Sequence, residues 1–126
     1  MLASSKLTGF VVTLDYDRAR AFYVDALGAE FISRDQYALV VRMGGNRIRI
    51  VKIPGFTPAR NTVLGWEVAD IEAAVRWLRE RGVALEDYPF IQDREQLIWS
   101  TPDGSKVAWF RDPDGNVLSV SHHPAR

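Results

Sequence analysis

Residues 105–122, SKVAWFRDPDGNVLSVSH, are the stretch that decides the fold. Five turn-forming residues, DPDGN at 112–116, separate two runs that are rich in aromatic and β-branched side chains. Proline fixes φ, glycine accepts positive φ, and aspartate and asparagine bond their own backbone, so each favours a turn for its own reason. The pattern predicts a β-hairpin.

Working outward from this hairpin, the chain reads as two copies of one unit. Asp15 and Asp70 each follow a strand-like run and precede an amphipathic helix, and Gly28 and Gly82 stand where these helices end. The two aspartates and the two glycines are separated by nearly the same number of positions, which indicates an internal duplication. Each half continues into further strand-like sequence, so the predicted unit is βαβββ, present twice.

The predicted fold class is therefore α/β (α+β), in one domain over residues 1–126. The first repeat covers about 6–53, a proline-containing linker 54–62, and the second repeat about 63–122. Asp15 or Asp17 is expected to cap the first helix, and Asp70 the second. Strands are predicted at 7–14, 30–33, 37–43, 47–53, 63–68, 83–88, 107–111 and 117–121, and a loop at 90–97.

The amino-acid composition argues against several classes of function. Sixteen Lys and Arg balance sixteen Asp and Glu, so no net field favours nucleic acid or an anionic membrane as partner. The chain has no cysteine, which excludes disulfides, zinc–thiolate sites and a cysteine nucleophile. The first residues do not have the pattern of a secretory signal, and no apolar run approaches membrane-spanning length, so we expect a cytoplasmic protein.

Strand alternation predicts a helix-facing side and an open side for each sheet. The helix-facing side is predicted to hold Ile48, Ile50, Leu64, Trp66, Val68, Leu118 and Val120. The open side is predicted to hold Arg47, Arg49, Val51, Gly65, Glu67, Val117, Ser119 and Ser121. We expect the two open faces to curve into one shared cleft, which is the default ligand site.

The paired units resemble the vicinal oxygen chelate superfamily, which includes glyoxalase I, extradiol dioxygenases, fosfomycin-resistance enzymes and bleomycin-resistance proteins. The segments that carry the resemblance are AFYVDALGAEF downstream of Asp15, IEAAVRWLRERGV after Asp70, and FRDPDGNVLSV. The resemblance extends from about Leu7 to His122 and implies a glyoxalase/bleomycin-resistance/dioxygenase-like fold with a sheet-lined cleft.

Metal-dependent members of that superfamily carry histidines near the start of the first strand of each repeat and a carboxylate on the last strand. The resemblance places these positions on Thr8, on Val63 or Thr62, and on Ser119, and a fourth on Arg49 with Val51 as the alternative. None of these side chains can replace the missing ligands. We therefore expect no metal ligands and no cofactor.

The predicted function is metal-independent binding or sequestration of a small molecule. One alternative is a glyoxalase-like lyase or isomerase, or a dioxygenase-type enzyme, with a metal-free or displaced site. Another is an interaction module whose sheet face binds another protein. The predicted ligand-binding residues are Thr8, Phe10, Arg49, Glu67, Trp99 and Ser119. Glu67 would act as a general base only if it were desolvated, and no second acid accompanies it.

Several single residues have two open interpretations. The Arg49 guanidinium suits a ligand carboxylate or phosphate, and an ion pair with Glu67 is an equal alternative. His122 and His123 are expected to form a solvated pair near the chain end, although His122 could reach the rim of the cleft. Either Trp99 or Trp109 could supply a flat wall for a ligand ring; Trp99 is the predicted aromatic lid, whereas core packing is favoured for Trp109, whose strand parity is ambiguous. An open sheet face needs burial, so a C2 homodimer is expected.

Overall fold

The computed structural model describes residues 1–125, and within them the chain forms the βαβββ unit twice, as the sequence predicted. The residues divide into two compact units. The first is Met1–Pro58 together with Pro113–Asn116, and the second is Ala59–Asp112 together with the chain from Val117 on.

The first unit contains one four-stranded sheet. Its elements are β1 (Thr8–Thr13), α1 (Tyr16–Arg20), β2 (Glu30–Arg34), β3 (Leu39–Met43) and β4 (Asn46–Lys52). The strand order is β1-β4-β3-β2. β1 is parallel to β4, and the other two pairs are antiparallel. The parallel pair follows from the helical crossover after β1, since parallel strands need a long connection.

The first helix begins where the sequence indicated. The Asp15 carboxylate accepts a hydrogen bond from the Arg18 backbone N–H at 3.1 Å, so Asp15 rather than Asp17 is the cap. After Arg20 the helix widens into a π-helical segment, Ala21–Ala26, in which the Leu27 N–H reaches the Phe22 carbonyl at 2.9 Å. Gly28 follows with a φ of 82°, which is accessible to glycine.

The register of β4 confirms the predicted faces of this sheet. Ile48 and Ile50 are buried, with exposures of 5% and 0%, and α1 packs against β4. Arg49 lies on the opposite face, paired with Phe10 of β1 and Val40 of β3. Since paired residues share a face, Thr8, Phe10, Arg47, Arg49 and Val51 all lie on the open side.

The second unit repeats this arrangement. Its elements are β5 (Thr62–Glu67), α2 (Ile71–Glu80), β6 (Trp99–Ser100), β7 (Lys106–Arg111) and β8 (Val117–His122). The strand order is β5-β8-β7-β6, with β5 parallel to β8. Asp70 caps α2 by accepting from the Ala73 N–H at 3.0 Å. The apolar stripe of α2 is buried, with Ile71, Val75 and Leu78 at most 2% exposed.

The strand predicted at 83–88 is not formed. Leu85 makes a single bridge to Phe110, and the Glu86 N–H donates to the Trp109 carbonyl at 2.7 Å. Beyond this bridge the segment makes ion pairs instead of a strand ladder: Glu86 binds Arg111 of β7, and Asp87 binds Arg94. The sheet edge is supplied instead by the two-residue strand β6.

The predicted turn 112–116 has a second role that its composition did not indicate. Its residues Pro113–Asn116 belong to the first unit. The Asp114 carboxylate accepts hydrogen bonds from the Thr13 hydroxyl at 2.5 Å and the Leu14 N–H at 2.9 Å, and pairs with Arg18 at 3.0 Å. The Asn116 side chain donates to the Val12 carbonyl at 2.8 Å. The turn therefore stabilises the junction of β1 and α1 through these hydrogen bonds and the ion pair.

Candidate ligand-binding surfaces

The open face of the first sheet carries three of the six predicted ligand-binding residues. Thr8 and Phe10 are exposed, Phe10 to 62%, and Arg49 is half-buried. In the described first unit, residues 1–58 and 113–116, Arg49 makes no side-chain hydrogen bond or ion pair. The face therefore presents an aromatic ring beside a guanidinium that is not hydrogen-bonded to a carboxylate, a combination suited to a ligand with both apolar and anionic parts.

A concavity of about 340 Å³ opens next to these residues. It is lined by Lys6, Leu7, Thr8, Arg42, Gly45 and Arg47. The strand pairing places Thr8, Arg47, Arg42 and Glu30 in one row across all four strands. The Arg42 guanidinium pairs with Glu30 at 3.0 Å.

The open face of the second sheet carries the other three predicted residues. Register places Ser119 between Gly65 and Trp109, and places Glu67 beside Ser121. Ser119 is buried, whereas Glu67 is exposed. Gly65 leaves room for its neighbour, since a Cβ at this position would lie 2.8 Å from the Ser119 hydroxyl.

Trp109 was expected in the core, and this prediction is wrong. It pairs with Ser119 and lies on the open face, half-buried. The helix-facing positions on β7 are its neighbours Ala108 and Phe110, which are buried at 0% and 1% exposure. In the sequence KVAWFR, apolar residues occur in both alternating sets of strand positions. Alternation alone therefore could not show which face of the sheet Trp109 lies on.

Four rings gather on this open face, and we refer to Tyr88, Phe90, Trp99 and Trp109 as the aromatic face. The two indoles lie 6.0 Å apart between ring centroids, and Phe90 lies 6.1 Å from Trp99 and 5.7 Å from Trp109. Tyr88 stacks on Phe90 at 5.4 Å. Phe90 is 55% exposed. This is a semi-exposed aromatic surface rather than a sealed core.

Sequence reasoning predicted Trp99 as a ligand contact, favoured the core over the ligand surface for Trp109, and missed Tyr88 and Phe90. Tyr88 and Phe90 lie in a segment without regular secondary structure, and no periodicity marks them. The usable signal was local: the tripeptide Tyr88-Pro89-Phe90 places two rings around a proline that fixes the backbone. The contact with Trp109 comes from how the segment lies on β7, which local sequence does not encode.

The two histidines are not a solvated pair, which corrects the sequence-based expectation. The His122 ring lies 3.1 Å from the Val68 carbonyl. The two ring nitrogens of His123 lie 3.2 Å from the Ser105 and Ser121 hydroxyls. Both rings are half-buried because β8 continues to His122 and its pairing with β7 holds the chain end against Ser105.

His123, rather than His122, lines a cavity. This cavity of about 430 Å³ is bounded by Glu67, His123, Pro124 and Ala125. A neutral imidazole donates through one nitrogen and accepts through the other, so one of the two serine hydroxyls bonded to His123 can donate to the ring. The cavity therefore contains a carboxylate and an imidazole, two groups that can accept a proton.

The side chains at the positions to which the resemblance assigns metal ligands are chemically unsuited to a divalent ion. Thr8, Thr62 and Ser119 offer neutral hydroxyls, Val63 offers no donor atom, and Arg49 is a cation. Elsewhere in residues 1–125, no group of three or more His, Cys, Asp or Glu side chains lies close enough together to hold a metal ion.

No helix in the same residues is both long and apolar enough to span a membrane.

The six predicted site residues thus form two sets. The structure brings Thr8, Phe10 and Arg49 together on one sheet face, and Glu67, Trp99 and Ser119 together on the other. Their convergence in one cleft and the ion pair between Arg49 and Glu67 stay predictions.

Comparison with known proteins gives one family and a consistent fold. The sequence model of the Glyoxalase/Bleomycin resistance protein/Dioxygenase superfamily matches residues 7–120. No curated protein matches this chain.

Among solved structures, this chain is similar to TnmS3, an antibiotic binding protein from Streptomyces sp. CB03234. The two are 27% identical, with a TM-score of 0.74 over 98% of this chain and 99% of TnmS3. A superfamily member from Sphaerobacter thermophilus DSM 20745 is 21% identical, with a TM-score of 0.74 over 98% and 100% of the two chains. A glyoxalase family protein from Enterococcus faecalis is 21% identical, with a TM-score of 0.71 over 96% and 99%. The last two likenesses show the fold alone.

Proposed function

The chain belongs to the Glyoxalase/Bleomycin resistance protein/Dioxygenase superfamily, and we propose that it binds or sequesters a small molecule with a planar aromatic portion, without a metal. The observation that supports this proposal is the aromatic face. Its two indoles lie 6.0 Å apart and are tilted by 40°, and the exposed Phe90 ring is nearly perpendicular to both. Together they form an apolar aromatic surface on the open side of a sheet, against which a planar ring can pack. Offset or edge-to-face aromatic pairs contribute about 0.5–1.5 kcal/mol beyond the area that they bury.

Two further facts support a binding role. The positions to which the resemblance assigns the superfamily's metal ligands carry side chains that are unsuitable donors for a divalent ion. TnmS3, which shares 27% identity over nearly its whole length, is an antibiotic binding protein. The proposed contact residues are Trp99 and Ser119 on the second sheet, and we extend the proposal to Trp109, Phe90 and Tyr88, the other members of the aromatic face. Thr8, Phe10, Arg49 and Glu67 stay proposed ligand contacts.

Tryptophan fluorescence tests the proposal directly. A panel of planar aromatic compounds is titrated into the protein, and quenching is followed together with the melting temperature. We expect Trp99→Leu and Trp109→Leu to weaken binding by about tenfold each, since aromatic contacts of this kind rank among the largest in binding sites. Trp77→Leu is the matched control, because Trp77 lies on α2 beside Arg81, away from the aromatic face.

The result that would overturn the binding proposal is a flat response. If neither fluorescence nor melting temperature changes across the panel, or if Trp77→Leu weakens binding as much as Trp99→Leu, the aromatic face does not bind such ligands. A variant that loses its melting transition is replaced by Trp99→Tyr, which keeps a ring of similar shape and should keep most of the affinity.

A second candidate function is a lyase or isomerase reaction with Glu67 as general base. The cavity that Glu67 shares with His123 favours this candidate, since a substrate bound there would desolvate the exposed Glu67 carboxylate, as its role as a base requires. Elemental analysis of protein purified without affinity resin tests the displaced-metal form of this candidate. Stoichiometric zinc, nickel, manganese or iron would favour the enzyme over the binding protein.

We also propose a cytoplasmic homodimer. Leu7 is 77% exposed and Phe10 62% exposed, and exposed apolar side chains of this size favour burial against a partner. Light scattering over a range of concentrations tests the assembly, and a monomer at high micromolar concentration would contradict it.

A further inference from the structure

We propose that the concavity on the first sheet is a binding site for a multiply charged anion of the phosphate type, and its lining includes no residue of the aromatic face. Three cations line it, Lys6, Arg42 and Arg47, together with the Thr8 hydroxyl. Its volume of about 340 Å³ is within the usual range for small-molecule sites.

The charge arrangement points to an anion because the fold itself places like charges together. Arg42 and Arg47 are direct cross-strand partners, so both guanidinium groups stand on the open face. Arg49, two residues along β4, extends the same face. Like charges directly opposite each other destabilise a sheet, and an anion bound between them would convert this repulsion into attraction.

The protein supplies only one counter-charge in this row. Glu30 pairs with Arg42 at 3.0 Å, whereas Lys6 and Arg47 have no ion pair within the described first unit, residues 1–58 and 113–116. Three cations and one carboxylate leave two positive charges unmatched around the concavity. This occurs in a chain whose total charge is zero, so the local excess is a feature of this surface.

The side chains also match the geometry of a phosphate group. A guanidinium offers a planar fork of N–H donors that binds two oxygens at once, and the lysine ammonium acts as a point charge. The Thr8 hydroxyl adds a neutral donor. These groups are solvent-accessible, so binding should weaken steeply as the salt concentration rises.

Pyrophosphate and inorganic phosphate are the probes, with calorimetry and thermal unfolding as readouts at low salt. We expect pyrophosphate to bind and to raise the melting temperature. Arg47→Gln should weaken binding by about tenfold, because hydrogen bonds to charged groups are the strong ones. Arg76→Gln is the matched control: it removes an exposed arginine from α2, outside the concavity, and should bind as the natural protein does.

The same variant distinguishes a binding role from a structural one. If Arg47 binds an anion, Arg47→Gln relieves the repulsion with Arg42, and its melting temperature without ligand should equal or exceed that of the natural protein. A clear fall in that melting temperature would overturn the proposal, because it would show that Arg47 stabilises the sheet. Equal pyrophosphate affinity of the Arg47→Gln and Arg76→Gln proteins would overturn it as well.

Discussion

At the scale of the residue, Tyr16 has a hydroxyl group with no partner. Its oxygen is buried and is the one such side-chain atom without a hydrogen bond among residues 1–125, while its ring lies 5.3 Å from the Arg34 guanidinium. Leaving a buried polar atom unsatisfied costs about 1–3 kcal/mol. We expect Tyr16→Phe to raise the free energy of unfolding by about 1 kcal/mol, measured by chemical denaturation.

The control for Tyr16 is Tyr23→Phe, since Tyr23 is also buried but does have a partner. Tyr23→Phe should lower stability. A loss of stability in Tyr16→Phe would contradict the prediction and would indicate that a bound water satisfies the hydroxyl.

A neighbouring pair on β4 tests the register at the same scale. Ile48 is buried and Arg49 faces the open side. Ile48→Arg places an unpaired charge in the core and should destabilise the protein by about 4 kcal/mol or more. Arg49→Met should change the free energy of unfolding by only about 0.5 kcal/mol. Equal effects in urea unfolding would show that both side chains are buried.

At the scale of the element, the turn 113–116 acts through Asp114. This side chain is 1% exposed and accepts from Thr13, Leu14 and Arg18. Asp114→Ala leaves these donors unpaired and should cost about 3 kcal/mol in thermal or denaturant unfolding. Asp103→Ala is the control, because Asp103 is an exposed turn aspartate that accepts from Ser105 at 3.0 Å. If Asp114→Ala lowers the free energy of unfolding no more than Asp103→Ala does, Asp114 does not stabilise the junction of β1 and α1.

The pairing of β5 with β8 gives a second prediction at this scale. Gly65 stands opposite Ser119, and a methyl group there would lie 2.8 Å from its hydroxyl. Gly65→Ala should therefore destabilise the second unit by about 1–3 kcal/mol. Adding Ser119→Ala removes the clashing oxygen and should restore part of the loss in a double-mutant cycle. Strict additivity of the two changes would show that the clash is not the cause.

At the scale of the whole molecule, exposed aspartates link stability to pH. Hydrogen bonds from the Tyr37 and Ala38 N–H groups lower the pKa of Asp35, and the Arg34 guanidinium lowers the pKa of Asp17. A carboxyl with a lowered folded-state pKa stabilises the fold above its unfolded-state pKa. That contribution is lost as the pH falls through the folded value.

We expect the melting temperature to fall as the pH decreases from about 5 to about 2. Asp35→Asn keeps an oxygen acceptor but cannot titrate, so its melting temperature should fall less over this range. Glu80→Gln, on the exposed side of α2, should follow the natural protein. Identical slopes for the natural and Asp35→Asn proteins would contradict the link.

Local sequence determined the repeated βαβββ unit, the helix caps at Asp15 and Asp70, and the faces of β4, because these features depend on nearest-neighbour chemistry and alternation. The short alternating run RIRI at 47–50 is enough to place Ile48 and Ile50 inward. Trp109 lies between two other apolar residues, so the polarity of its neighbours does not distinguish the two faces. Only its pairing with Ser119 shows that it lies on the open face.

Only the tertiary structure decided the contents of the candidate sites. Tyr88 and Phe90 join Trp99 and Trp109 because a segment without regular structure lies along β7, and His123 enters the cavity of Glu67 because β8 pairs to its end. Arg42 and Arg47 stand opposite each other through the register of a hairpin, and Asp114 braces a strand that lies a hundred positions earlier in the chain. The local sequence around each of these residues does not indicate which distant residue it contacts. The tertiary fold, and not local conformational preference, brings them together.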